Sequence, residues 1–313
     1  MKKRHLLLCL IFFSYLLSGC ATVPKKTTYV PPYTPNYGIF VDHIVNDGLE
    51  KTLPALAGDP SAELPAYWHR LMDDGKLTVA LCVGTEDLVD KVYDEKGGGR
   101  VLEVMIRDAQ IPVTVYGKEV LIDITVVTNR EQLIKAFNER EVIFVYSHSR
   151  YGNGWALHED GLDDPFRMQA DTIRIPKNQM HGYQGQITGE SGGYYLLKPN
   201  TEDLDKVVPY PDYQLIVGLS CTSKGHFMKE LVKMRNGKPS TMILTTGAGS
   251  FLEMRFTIFK RFLQGIVTGE DMKKTVSGMN DAWQKVPDVF FEMYKIKTNI
   301  KPYRVIDFSY SDI

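Results

Sequence analysis

Cysteine is scarce in this 313-residue chain: there are four in all, and only Cys82 and Cys221 lie beyond the first twenty residues. That excludes a small disulfide-dense scaffold and leaves two thiols free either to pair or to do chemistry. An excess of one charge sign is also missing, since 37 basic side chains stand against 38 acidic ones. Without a basic stripe, nucleic acid is not an expected partner. Metal-ligand spacing is absent as well. His148, His158, His181, Cys221 and His226 fall on separate segments with neither HExxH nor CxxC, so no metal and no other cofactor is expected. His43 and His69 lie in helical-looking stretches and carry no motif. GKPST and TTGAG lack the Lys-Ser/Thr arrangement of a phosphate loop, and GESGG at 189–193 has no strand before it to make a nucleophile elbow. No internal repeat is present.

Long apolar runs are missing too. The main one, Leu6 to Leu17, falls short of the roughly 20 residues that span a bilayer. It follows Lys2, Lys3 and Arg4 and precedes Leu17-Ser18-Gly19-Cys20, which is the layout of a signal peptide. The last four residues resemble the lipobox of bacterial lipoproteins. The resemblance implies that residues 1–19 are removed, that Cys20 is lipidated, and that Ala21 directs the protein to the outer membrane of a Gram-negative cell. Residues 20–37 then read as a Pro- and Thr-rich tether. Residues 38–75 form an N-terminal helical segment, and 76–313 form one α/β domain.

Within that domain the apolar patterns are strand-like and regularly interrupted. LTVALCVG, from Leu77 to Gly84, reads as a buried strand. TEDLVDKVYDE after it has a Thr and an acidic first turn, which predicts a helix. RVLEVMIRDAQ is ambiguous, and PVTVYGKEVLIDITVVT predicts a hairpin or bulged strand about Tyr116-Gly117-Lys118. Thr128 is read as the N-cap of a helix over 130–138 that feeds a strand from Val142 to Tyr146, a parallel-sheet signature. Residues 149–211 are Gly- and Pro-rich and read as hairpins and loops, a long irregular insertion of the kind that is usually functional. Further strands are expected at 213–220, at 241–245 and, on an edge, in YRVIDFSYSD; HFMKELVKMRNG and two amphipathic segments after Phe251 read as helices.

Two of the buried strands stop on reactive side chains: VIFVYSHS on His148 and LIVGLSC on Cys221. The carboxyl ends of parallel strands gather at one rim, where open α/β sheets bind ligands. If the two strands are neighbours, an imidazole and a thiol share a crevice, as thiol catalysis requires. These two blocks, with MILTTGAG and FTIFKRFLQGIVTGEDMKKTV downstream, resemble the clan CD cysteine peptidases: caspases, gingipains, legumains, separases and CHAT domains. The resemblance covers roughly residues 77–286, with short motifs. It implies a caspase-like, mostly parallel sheet flanked by helices, with Cys221 as nucleophile and His148 as general acid/base. The oxyanion would be held by the backbone N–H groups of Cys221 and of Ser149 or a residue near it.

Ser149 departs from the family, which usually has glycine there; Gly152 and Gly154 are the residues that could supply the missing freedom through a shifted turn. Substrate-pocket candidates are Asp163 and Asp164, with Glu159 and Asp160 beside them, or Arg150 and Arg167 for the opposite charge. The resemblance also sets the strands of Cys82 and Cys221 on opposite sides of the His148 strand. At roughly 4.8 Å per strand the two thiols would be too far apart to bridge. The expected partners are a peptide or protein substrate and, through the lipid, a membrane. A second reading stays open: an inactive caspase-like lipoprotein that binds or assembles at the envelope, with Tyr-rich loops such as GGYYLL and HGYQG as contact surface.

Overall fold

The computed structural model describes residues 63–83, 89–93, 101–105, 108–149, 152–157, 165–177, 187, 189–246, 255–284 and 306–311. A short helix α1 (Ala66–Met72) enters strand β1 (Lys76–Val83), whose last five residues are all buried. The segment expected to continue as a helix does not. Strands β2 (Val89–Tyr93) and β3 (Val101–Met105) pair antiparallel, with Val89 opposite Met105 and Val92 opposite Leu102. The β-branched and aromatic content of DLVDKVY outweighs the acidic residues that suggested a helix start, and the same pairing settles RVLEVM as strand.

The hairpin expected about Tyr116-Gly117 is present: β4 (Ala109–Val115) turns into β5 (Lys118–Val127) through two residues of positive φ, Tyr116 at 53° and Gly117 at 75°. Such a pair makes the turn whose twist matches the strands it joins. Helix α2 (Arg130–Glu139) follows, capped not by Thr128 but by Asn129, whose Oδ1 accepts from the Gln132 N–H at 2.9 Å. Gln132 Oε1 in turn accepts from the N–H of Thr128, the residue before the cap, so the cap sits one residue later than the sequence suggested. Strand β6 (Val142–Tyr146) is wholly buried.

The excursion after β6 is built from hairpins and turns. β7 (Gly154–Trp155) pairs with β8 (Phe166–Arg167), while β9 (Ile173–Pro176), β10 (Gly189–Ser191) and β11 (Tyr194–Leu197) form a small separate sheet. GESGG is thus a hairpin strand and its turn, with Ser191 exposed. A single 3-10 turn (Leu204–Lys206) leads to β12 (Gln214–Leu219), α3 (Ser223–Arg235), β13 (Ser240–Thr245), α4 (Arg255–Val267), α5 (Met272–Gln284) and the edge strand β14 (Ile306–Ser311).

The main sheet has seven strands in the order β14-β13-β12-β6-β1-β5-β4. Its five central strands are parallel and each edge strand is antiparallel, so the domain is α/β with a mixed, mostly parallel sheet. Alternate residues supply two cores. Leu77, Val79, Phe144, Val217 and Ile243 face α1, α4 and α5, whereas Ala80, Cys82, Val145, Ile216 and Met242 face α2, α3 and the start of the insertion. Burial on both faces explains why β6 and β12 read as unbroken apolar runs.

One polar group is buried at the start of β6. Glu141 accepts from both the backbone N–H and the Oγ1 of Thr78, at 2.7 and 2.9 Å, yet burial holds its carboxyl above the ordinary range. A folded-state pKa above the unfolded one means that stability is fully present in acid and is lost as the pH rises through the folded value. Relative to Glu141→Gln, the wild-type chain is therefore expected to lose stability as the pH rises from about 4, the unfolded carboxyl's range, through the folded-state value. Urea denaturation midpoints for the two proteins across that range measure it, and parallel curves would contradict the assignment.

Candidate functional site at the carboxyl rim of the sheet

Strands β6 and β12 are adjacent and parallel, and their last register pair is Tyr146 with Leu219. His148 and Cys221 each follow two residues later, so both leave the sheet at the same level from neighbouring strands, which are spaced by about 4.8 Å. Burial then singles them out. Ser147, Ser149 and Ser220 are buried, while His148 and Cys221 are each partly exposed. Two partly exposed residues, one with an imidazole and one with a thiol, thus follow neighbouring strands at the rim where an α/β sheet binds its ligands.

The turn carrying Cys221 is tightly held. Ser223 Oγ donates to the Gly218 carbonyl at 2.6 Å and accepts from the Thr245 N–H at 2.8 Å. Thr245 Oγ1 donates to the Ser220 carbonyl, and the Ser223 N–H donates back to that carbonyl at 3.2 Å. These buried hydroxyls fasten the end of β12 to the end of β13. They also impose a left-handed backbone on Thr222, at φ 53° and ψ 30°, a conformation that costs a β-branched residue about 1–2 kcal/mol. Helix α3 starts at the next residue, and its amino end, carrying partial positive charge, favours an anion nearby.

The loop after His148 is folded back onto the same elements. The His148 carbonyl accepts from the Ala156 N–H at 3.0 Å, and the Ser149 carbonyl accepts from the N–H groups of Gly152 and Gly154. Ser149 itself is only 1 % exposed. Trp155 is fully buried, stacks on Phe137 and Phe166, meets Phe227 of α3 edge-on, and donates its indole N–H to Ser220 Oγ at 3.0 Å. His226, one turn into α3, lies against Gly152; a Cβ added to that glycine would come within 2.5 Å of the His226 Nδ1. Burial pushes the His226 ring toward its neutral form.

Of the residues singled out from the sequence, His148, Ser149 and Cys221 come together here, with Gly152 and Gly154 in the loop beside them. Cys82 does not join them. It is buried in β1, opposite Val145 on the far side of β6 from β12, it forms no disulfide with Cys221, and burial pushes its thiol far up. Arg167 pairs with Glu202, and its backbone N–H donates to the buried Asp203, so it anchors the insertion. His69 is exposed on α1 beside Asp73. Cys20, His43, Arg150, His158, Glu159, Asp160, Asp163, Asp164 and His181 lie outside the described residues.

Trp155, Ser220, Ser223, Thr245 and His226 form the frame of the site and were not read from the sequence as such. The one available signal was the hydroxyl-rich LSCTS around the cysteine. Among the described residues no three His, Cys, Asp or Glu side chains group closely enough to hold a metal ion, and no helix is long and apolar enough to cross a membrane. No family model, curated protein or solved structure matches the chain.

Proposed function

We propose that this protein is an envelope-anchored cysteine peptidase of the caspase-like type, tethered through Cys20. The support that carries the reading is the shared register: His148 and Cys221 stand two residues past the paired Tyr146 and Leu219. The imidazole takes the Cys221 proton, and the thiolate sulfur attacks the peptide carbonyl carbon. The oxyanion of the tetrahedral adduct is held by backbone N–H groups at the two strand ends, those of Cys221 and of Ser149 or a neighbour. His148 returns its proton to the departing amine as the C–N bond breaks, leaving a thioester. Water, deprotonated by His148, then hydrolyses the thioester and regenerates the thiol. The strand order supports the caspase-like assignment as well, because the His strand lies between the first strand and the Cys strand.

A second reading, a non-catalytic binding or assembly module on the same fold, is favoured by one observation. The position after His148 is a buried serine rather than the glycine usual in that family. The two readings separate on incubation of wild type, Cys221→Ala and His148→Ala with a mixed peptide library, cleavage being followed by mass spectrometry. The peptidase reading expects cleavage by wild type alone, with each variant reduced by at least about a hundredfold. Identical product lists from all three proteins would leave the binding module.

A further inference from the structure

The sheet fixes where His148 and Cys221 leave their strands, but the ladder stops at Tyr146 and Leu219. Beyond that point a second connection is needed to hold the two side chains at a working distance, and the fold contains one. Ser220, the residue before Cys221, accepts the Trp155 indole N–H at 3.0 Å. Trp155 is bonded to Ala156, whose N–H donates to the carbonyl of His148 at 3.0 Å. A short closed path thus runs from His148 through Ala156 and Trp155 to Ser220 and Cys221, independent of the strand pairing.

Each link in that path is rigid for a visible reason. Trp155 is fully buried among Phe137, Phe166 and Phe227, which fixes the indole plane and aims its N–H. Gly218, two residues before Ser220, lacks the side chain that would crowd it; a Cβ there would come within 3.0 Å of the indole Cζ2. The other end of the Ser220 unit is held by the Thr245 hydroxyl on its carbonyl. The indole is thereby seated between the end of β12 and the loop that follows β6.

We propose that Trp155 is a positioning residue that sets the distance between His148 and Cys221 through its hydrogen bond to Ser220. The inference rests on the dyad reading above and adds to it the part that holds the dyad together. It also gives the first residues of the insertion a role: they brace the site from the side that the sheet leaves open. Trp155 touches neither substrate nor sulfur in this scheme, so its removal should alter the reactivity of Cys221 rather than abolish the thiol.

The test uses the full chain and iodoacetamide, with alkylation followed at the Cys221 peptide by mass spectrometry so that the other cysteines do not interfere. Rates are measured from pH 5 to pH 9 for wild type, His148→Ala, Trp155→Phe, Ser220→Ala and the Trp155→Phe/Ser220→Ala double variant. The phenyl ring keeps part of the stacking but loses the N–H together with the volume of the second ring, so Ser220→Ala, which removes the acceptor with almost no change in volume, isolates the hydrogen bond. Both single variants are expected to lower the Cys221 rate near pH 7 by about tenfold and to move its pH profile toward that of His148→Ala. The double variant should be no worse than Trp155→Phe alone, because Ser220→Ala removes a bond already lost there. If His148→Ala changes the profile while Trp155→Phe and Ser220→Ala match wild type, the positioning role is overturned and the dyad stands. If His148→Ala itself matches wild type, the dyad reading falls and the positioning role falls with it.

Discussion

Replacing Arg235 by methionine is expected to destabilise the domain by about 2–4 kcal/mol, read as a drop in the urea midpoint at constant m. The guanidinium is wholly buried at the end of α3. It donates to the carbonyls of Tyr210, Asp212 and Pro239 and to Gln214 Oε1, at 2.7–3.1 Å. Gln214 continues the network, its Nε2 donating to the carbonyls of Phe137 and Arg140 at the end of α2. Methionine fills a similar volume but leaves the buried Gln214 Oε1 without its donor, at about 1–3 kcal/mol, and removes a charged donor from the part-buried carbonyls of Tyr210, Asp212 and Pro239, of which Pro239 keeps the Gln214 N–H. Burial pushes the Arg235 pKa down to about 10, so at neutral pH enclosing the charge is a cost that the four hydrogen bonds offset. A depressed basic pKa means the folded state binds less proton than the unfolded one above about pH 10, and stability from this group rises only there. Arg235→Lys is expected to recover part of the loss, since one ammonium cannot span acceptors arranged for a planar fork. A loss below about 1 kcal/mol for methionine would mean that the site takes up water freely.

The two ends of β12 therefore do different work. At its start, Gln214 and Arg235 knit α2, α3 and the entry to β13 into one unit. At its end, Ser220, Ser223 and Thr245 hold a strained turn that presents Cys221. At the first end the buried guanidinium and amide make four and two hydrogen bonds to the structure around them, whereas at the second end one reactive side chain per strand, His148 and Cys221, is partly exposed. This asymmetry is the physical reason that the rim after β6 and β12 is the candidate site.

How much of this was legible beforehand depended on the range of the interactions involved. β6 was read to the residue and β12 within one at either end, because strands buried on both faces are continuous apolar runs bounded by turn residues. The placement of His148 and Cys221 after two such strands was readable because each follows an apolar run directly. The helix expected in TEDLVDKVYDE failed because local acidic-turn signals cannot see a cross-strand partner, which β3 supplies ten or so residues later. The cap at Asn129 rather than Thr128 turned on a one-residue choice between two good capping side chains. Trp155 and His226 could not have been assigned from sequence at all. Trp155 reaches Ser220 across a sequence separation of 65, and nothing in the local sequence GNGWAL encodes that partner.

The last expectation concerns the closest approach between the two halves of the site. Gly152 has φ 92°, and a Cβ there would sit 2.5 Å from Nδ1 and 3.0 Å from Cε1 of His226. Gly152→Ala is expected to cost about 3 kcal/mol, of which roughly 1–2 is the left-handed backbone and the rest is overlap with the imidazole. The two contributions separate in a double-mutant cycle. His226→Ala removes the ring, so the double variant should recover the overlap part and retain only the backbone part, a coupling of at least about 1 kcal/mol. Additive losses would show that the ring swings aside without cost and that α3 does not brace the loop. If coupling is found, it also decides what moves in Gly152→Ala. The loop joins His148, its Ser149 carbonyl receiving the Gly152 N–H, whereas α3 is anchored in the core by Phe227 and Leu231. The less constrained partner yields, so the displacement should appear at His148 and lower the alkylation rate of Cys221, and His226→Ala should restore that rate together with the stability.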